Sequence, residues 1–265
     1  MSQDMVKVLD ITFSYDGVSP IFSDFSWSVA EGEPWAVIGP SGCGKSTLIY
    51  LLAGLQRPQR GKIMVKGEEV IRPRPKTGVI LQDYGLLPWA TIEENVSLGL
   101  RIRKFYGPDG THAPVDESVS MEEVDYWMNQ LGIYDVKNHY PAEVSGGQRQ
   151  RAAIVRTLVM HPDLLLMDEP FSSLDALTRE ALQDLMLNLR RETRITTILV
   201  THSIEEAALI GRKILVLGHP PISSAVVVNN PGAGDVEYRK TGEFRLTCNR
   251  LREMLGRERG GHEEA

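Results

Sequence analysis

The chain has 265 residues, 42% hydrophobic and 24% charged, which is enough apolar content for a folded core and too much for disorder by composition. Lys and Arg number 29 against 35 Asp and Glu, and the net charge of −6 argues against broad electrostatic binding to nucleic acid or to anionic lipid. No apolar run suits a spanning helix, Met1, Ser2, Gln3 and Asp4 do not open a secretory signal, and Cys43 and Cys248 are too few for a disulfide framework or zinc site, so a cytoplasmic protein with free thiols is expected.

In chain order, rough alternation predicts strands over residues 6–13 and 25–29, with Tyr15, Asp16 and Gly17 turning the chain between them. The apolar run 35–38 predicts a buried strand, and 46–53 a helix stopped by Gly54 and Pro58. Residues 62–65 and 78–81 are strand-like, joined by the stiff Arg72, Pro73, Arg74, Pro75. Helical spacing returns over 92–104 and 121–131, on either side of a loop with Gly107, Pro108, Gly110 and Pro114. A helix over 148–160, a buried strand over 164–167, an amphipathic helix over 178–191, a strand over 197–200 and a helix over 204–210 follow. Strand-like pieces at 214–217 and 225–228 precede a helical tail over 243–255, which frays toward Ala265. This alternation implies an α/β core with a largely parallel sheet.

Gly39, Pro40, Ser41, Gly42, Cys43, Gly44, Lys45 and Ser46 follow G-x-x-x-x-G-K-[ST] between a predicted strand and a predicted helix, the context that gives this motif meaning. Glycines let successive backbone N–H groups turn inward around a polyphosphate, and the helix N-terminus adds partial positive charge. Lys45 is placed to reach the β- and γ-phosphates, and the Ser46 hydroxyl to ligate a Mg²⁺ that bridges them. The loop implies nucleotide binding, yet by itself does not separate a kinase, a GTPase or a motor. Farther on, the run over 164–167 ends in Asp168 and Glu169, delivering two carboxylates to the carboxyl edge of a parallel sheet. Asp168 can hold Mg²⁺ through water, and Glu169 can accept a proton from water attacking the γ-phosphorus.

Upstream of those acids, Ser145, Gly146, Gly147, Gln148 and Arg149 read S-G-G-Q-R. Two glycines before a helix leave bare N–H groups and an outward serine hydroxyl, a second anion site; a plain N-capping serine is the other reading. With this pentapeptide the sequence resembles the ATP-binding subunit of ABC transporters, although Val144 stands where leucine is commoner. The resemblance implies an α/β P-loop NTPase core with a mainly parallel sheet, an N-terminal antiparallel β-subdomain and an inserted α-helical subdomain over about 84–160. Residues 1–265 then form a single domain with a tail over 221–265. It also implies Mg²⁺-dependent ATP hydrolysis in a head-to-tail dimer, with ATP between the P-loop of one copy, Thr47 included, and the signature of the other. In that scheme Gln82 senses Mg²⁺ and the attacking water, while Ser173, Leu174 and Asp175 cross the dimer interface. His202 contacts the γ-phosphate and orients Glu169, and Tyr15 stacks on adenine, simple packing being its alternative.

Residues 83–96, and the tail beginning Gly218, His219, Pro220, Pro221, resemble the nitrate, sulfonate, taurine and bicarbonate importer branch. Leu87 and Trp89 beside Pro88 suit a groove for a coupling helix from a membrane subunit. The implied partners are a second copy, two transmembrane permease subunits and, indirectly, an extracytoplasmic solute-binding protein, with no nucleic acid. The implied location is the cytoplasmic face of the cell membrane. The alternatives are an ABC ATPase of lipid or peptide export and a soluble ABC ATPase without a transport role. Residues 105–120 are longer than expected between these helices and suggest no function, and His112 within them reads as solvated rather than as a metal ligand.

Overall fold

The computed structural model describes residues 4–114, 120–172 and 174–260, without side chains over 257–260. The chain opens with β1 (Asp4–Phe13), β2 (Phe22–Ala30), β3 (Pro34–Ile38), α1 (Lys45–Leu52), β4 (Arg60–Val65) and the two-residue β5 (Glu68–Glu69). It continues through β6 (Thr77–Ile80), α2 (Ile92–Tyr106), α3 (Met121–Gln130), α4 (Gly146–Leu158) and β7 (Leu164–Asp168). Then come α5 (Ala176–Thr193), β8 (Thr196–Val200), α6 (Ile204–Ile210), β9 (Lys213–Val216), β10 (Val226–Asn229) and α7 (Gly242–Gly260). The expected strands and helices are all present, with ends shifted by a few residues. β5 is additional, because two glutamates carry no alternation to read.

Two compact units result, one from residues 1–73 with 184–265 and one from residues 74–183. In the first, β2, β1, β4 and β5 form an antiparallel sheet in that order. β2 shows why: Phe25, Trp27 and Val29 are buried while Ser26 and Ser28 face outward, the period of two that a half-buried strand requires. Trp27 meets Trp35 of β3 edge to face at 5.1 Å, which joins this sheet to the parallel strands. β3 lies between β8 and β9, both parallel to it, and β10 adds an antiparallel edge to β9. β3 and β8 are buried along their whole length, so their sequences read as continuous apolar runs. Ala36 and Ile38 pack with Ala207 of α6, Ile214 of β9 and Leu251 of α7, and fully burying one such leucine or isoleucine contributes about 1.5–3 kcal/mol. Both cysteines are buried and free.

In the second unit β6 and β7 pair in parallel, and Arg74 grips Asp163 with two hydrogen bonds of 3.1 Å at the start of the pair. α2 starts at a capping box: Thr91 Oγ1 accepts from Glu94 N at 3.2 Å, and Glu94 Oε2 accepts from Thr91 N at 2.9 Å. Glu93 and Glu94 in its first turn and Arg103 and Lys104 in its last suit the helix dipole. Among the described residues no helix is long and apolar enough to cross a membrane.

Candidate functional site

In the first unit the glycine-rich loop leaves the carboxyl end of β3 and enters α1. Gly44 is the N-cap with φ +101°, and Gly42 has φ +76°, states that other residues adopt only with strain. A Cβ on Gly44 would lie 2.4 Å from Ile21 Cγ2, whereas one on Gly42 would meet nothing within 4 Å, so the loop is open there. α1 has no side-chain cap and no acid in its first turn, which leaves its leading N–H groups for a ligand. Lys45, only 8% exposed, donates from Nζ to the carbonyls of Gly39 at 3.0 Å and Pro40 at 2.8 Å. A cation, a helix N-terminus and an open turn thus share one place, and this donor set fits a polyphosphate. Cys43 in the same loop is buried, and burial pushes its thiol up while Lys45 opposes the shift, so it stays a protonated packing group.

Tyr15 and His202 belong to the same unit. The Tyr15 ring is 62% exposed, stands edge to face on Phe13 at 5.0 Å, and is tied to α1 by its hydroxyl, 3.2 Å from Thr47 Oγ1. Thr201 N donates to Val37 O at 3.2 Å, which sets the next residue, exposed His202, at the sheet edge that carries the P-loop. The turn is locked from behind: Thr201 Oγ1 donates to Glu206 Oε2 at 2.5 Å, and Ser203 N donates to Thr201 Oγ1 at 3.0 Å. Sequence reasoning missed Thr201 and Glu206. The available signal was an acid directly before the buried apolar run of Ala207, Ala208, Leu209 and Ile210.

In the second unit β6 and β7 end side by side, Ile80 opposite Met167, so Gln82 and the Asp168–Glu169 pair leave from one edge. Asp168 is 3% exposed; Glu169 has φ +47°, the left-handed region that is uncommon outside glycine and clusters at functional sites. Ser172 secures this bend, donating from N at 3.3 Å and from Oγ at 3.0 Å to Glu169 O. Gln82 is exposed, and the turn after it is pinned by Arg156 of α4, which donates to Tyr84 O at 2.6 Å and Gly85 O at 2.5 Å. Burial pushes the Arg156 guanidinium down, and Asp83 pulls it back. Gln150, on the same helix and fully buried, donates from Nε2 to Pro170 O, one residue past Glu169. One helix therefore holds both the turn after Gln82 and the bend after Glu169. Neither Arg156 nor Gln150 was singled out from sequence, although they flank the apolar run of Ala152, Ala153, Ile154 and Val155.

The S-G-G-Q-R segment forms the start of that helix. Ser145 Oγ accepts from Gln148 N at 3.2 Å, and Gln148 Oε1 accepts from Ser145 N at 2.9 Å, a full capping box. The outward hydroxyl expected from sequence is thus turned onto its own helix, because Gln148 at the third helical position completes the box. The hydroxyl hydrogen and the N–H groups of Gly146 and Gly147 lie ahead of this bond. A Cβ on Gly147 would lie 2.6 Å from Thr178 Cγ2 of α5, while one on Gly146 would have nothing nearer than 3.8 Å. Arg149 folds the preceding turn by donating to Pro141 O at 3.1 Å and Val144 O at 2.7 Å. Asp175 is exposed and caps α5, accepting from Thr178 N at 3.1 Å, and this bond holds its carboxyl below the usual range. Leu174 is buried, and Ser173 lies outside the described residues.

Asn95 of α2 shapes a further surface in this unit. Fully buried, it accepts from Leu87 N at 2.7 Å and donates to Leu87 O at 3.1 Å and Ala90 O at 3.0 Å. That fixes the 87–91 turn and leaves Trp89 74% exposed at a cleft of about 420 Å³, which Leu87, Leu98, Ile102 and Phe105 also line. Tyr106, at the end of α2, stacks on His112 at 4.0 Å, and His112 Nδ1 lies 2.7 Å from Asp109 Oδ2. His112 and the backbone N–H groups of Thr111 and Ala113 hold the Asp109 carboxyl far below its ordinary range. His112 is exposed, as expected, and is in addition paired with Asp109 and stacked on Tyr106; residues 115–119 of this longer loop lie outside the described residues.

Among the described residues no group of three His, Cys, Asp or Glu is gathered to hold a metal alone. Mg²⁺ seldom needs one, since it takes one or two protein oxygens and completes its shell with phosphates and water, and Ser46 and Asp168 are donors of that kind.

The sequence profile of the ABC transporter family matches residues 22–172. The taurine import ATP-binding protein TauB of Pelagibacter ubique is 40% identical over 238 residues, covering 88% of this chain and 86% of the relative. The aliphatic sulfonates import ATP-binding protein SsuB of Bacillus cereus is 37% identical over 230 residues, covering 83% and 86%. A solved ATP-binding cassette, dimeric in a post-hydrolysis state with ADP and Pi, is similar with a TM-score of 0.71 at 27% identity, covering 85% of this chain and 98% of that one.

Proposed function

The chain belongs to the ABC transporter family and is an ATP-hydrolysing member of it, and on that premise we propose that it energises import of a small anion through partner permease subunits. The solute class is that of the similar proteins named for taurine and aliphatic sulfonates, with nitrate of the same kind. The observation that carries the importer reading is Trp89, held out over an apolar cleft by buried Asn95. An exposed aromatic anchor beside a groove suits a helix from a membrane partner.

In this proposal Lys45 and the leading N–H groups of the loop and α1, from Gly39 to Thr47, bind the polyphosphate, and Tyr15 stacks on the adenine. Bound Mg²⁺ supplies charge neutralisation on the β- and γ-phosphate oxygens. Ser46, Asp168 and Gln82 would hold the ion. Glu169 accepts the proton of the attacking water, and His202 orients Glu169. Ser145, Gly146, Gly147 and Gln148 of one copy, with Asp175, close on ATP held by a second copy set head to tail. Two permease subunits take up the resulting motion at the cytoplasmic face of the membrane, and an extracytoplasmic binding protein delivers the solute.

Affinity purification of the tagged chain from gently solubilised membranes, read by mass spectrometry, tests the proposal. A polytopic permease should accompany the wild type and be lost from Trp89→Ala, which keeps its ATP affinity. Recovery of soluble complexes alone, ribosomes for example, would contradict it.

A further inference from the structure

A second cleft, in the first unit, is lined by charge instead of carbon. It has a volume of about 460 Å³ and gathers Arg190, Arg191 and Arg194 from the end of α5 and the turn after it, with Arg212 from the turn before β9. Asp235 is the one acid lining it, 3.3 Å from Arg191. Four guanidiniums against one carboxylate concentrate positive charge on a chain whose net charge is −6. Arg190 Nε is buried without a hydrogen-bond partner, and a Cβ on Gly234 would lie 2.8 Å from its Nη1, so the missing side chain there is what admits the guanidinium. Burial pushes the Arg190 pKa down to about 10, and Arg212 and Arg191 push it the same way. An arginine does not give up its proton near neutral pH, so such crowding is relieved by a counter-ion rather than by titration.

We propose that this cleft binds a doubly charged tetrahedral oxyanion, phosphate or sulfate, as the free ion or as the headgroup of a small molecule. Guanidinium forks match the spacing of such oxygens and make charge-assisted hydrogen bonds to them. None of the lining residues belongs to the P-loop or the S-G-G-Q-R segment, so the site is separate from the ATP machinery. An anion there ties the end of α5 to the turn before β9 and to the loop carrying Gly234.

Isothermal titration of sulfate, and then of inorganic phosphate, into the full chain at fixed ionic strength tests this. A Lys45→Ala background removes binding at the P-loop. The expected result is saturable binding that falls about tenfold or more with Arg212→Gln and with Arg194→Gln, each removing a charged donor. Both side chains are exposed, so folding should survive, and a thermal melt checks that it does. Arg60→Gln, an exposed arginine on β4, makes the same change in net charge and should leave binding intact. Glycerol phosphate distinguishes the two sources and either outcome upholds the site: tighter binding than inorganic phosphate points to a headgroup, weaker binding to the free ion. No saturable binding, or equal binding in the parent, Arg212→Gln and Arg194→Gln, would overturn the proposal.

Discussion

Helices α1 and α4 both start beside glycines, yet their first turns are finished in opposite ways. α1 follows Gly44 with neither a side-chain cap nor an acid, whereas Ser145 and Gln148 close a capping box on α4. A side-chain cap is typically worth about 0.5–2 kcal/mol, and α1 starts without one, an end that a phosphate would cap. α4 has already satisfied two donors internally. What remains to it is the serine hydrogen and the N–H groups of two glycines. The difference teaches that one helix start is left open at its glycine loop while the other is closed on itself; in the proposed function the first holds nucleotide within one chain and the second is the surface offered to another copy.

The sharpest way to break this comparison is at α1. Lys45→Ala should weaken ATP binding by about a hundredfold or more, since it deletes the buried cation of the loop, and titration with a fluorescent nucleotide measures it. Unchanged affinity would remove the P-loop as the binding element. Next, Glu169→Gln should cut turnover by about 10²- to 10⁴-fold, the range of a lost general base, while ATP affinity stays near wild type. A turnover assay that finds ordinary rates assigns the base elsewhere.

The two glycines of α4 separate packing from function. Gly147→Ala drives a Cβ into the Thr178 methyl and should destabilise the fold by about 1–3 kcal/mol, seen as a lower Tm. Gly146→Ala has room, so its melt should match wild type while ATP-dependent self-association weakens. The smallest effect is that of Ser145→Ala, which removes the cap of α4 and should lower stability by about 1 kcal/mol in chemical denaturation. An unchanged stability would mean that the capping box contributes nothing.

The contrast between the two helix ends was only half legible in the sequence. The P-loop, Asp168 and Glu169 stand in consecutive runs next to strongly apolar strands, so their place at the carboxyl ends of β3 and β7 could be read. S-G-G-Q supports an open anion site and a self-capping serine equally well, and only three-dimensional structure decides which bond forms. Arg156 reaches carbonyls 71 and 72 residues away, and Gln150 one 20 residues away; backbone acceptors at that distance leave no mark on a sequence. The Thr201–Glu206 pair is local but hides in a helix start that also reads as ordinary capping. The arginine cleft combines the end of α5 with turns from elsewhere in the chain, and no spacing rule joins them.

Sedimentation velocity with saturating Mg²⁺ and ATP tests the central claim most directly, comparing Glu169→Gln with the same variant carrying Ser145→Arg. The account predicts ATP-bound dimers for the first and an ATP-bound monomer for the second, because a bulky cation at the start of α4 blocks the surface offered to the other copy's nucleotide. Dimers that persist in the double variant, or a Glu169→Gln chain that binds ATP and stays monomeric, would contradict it.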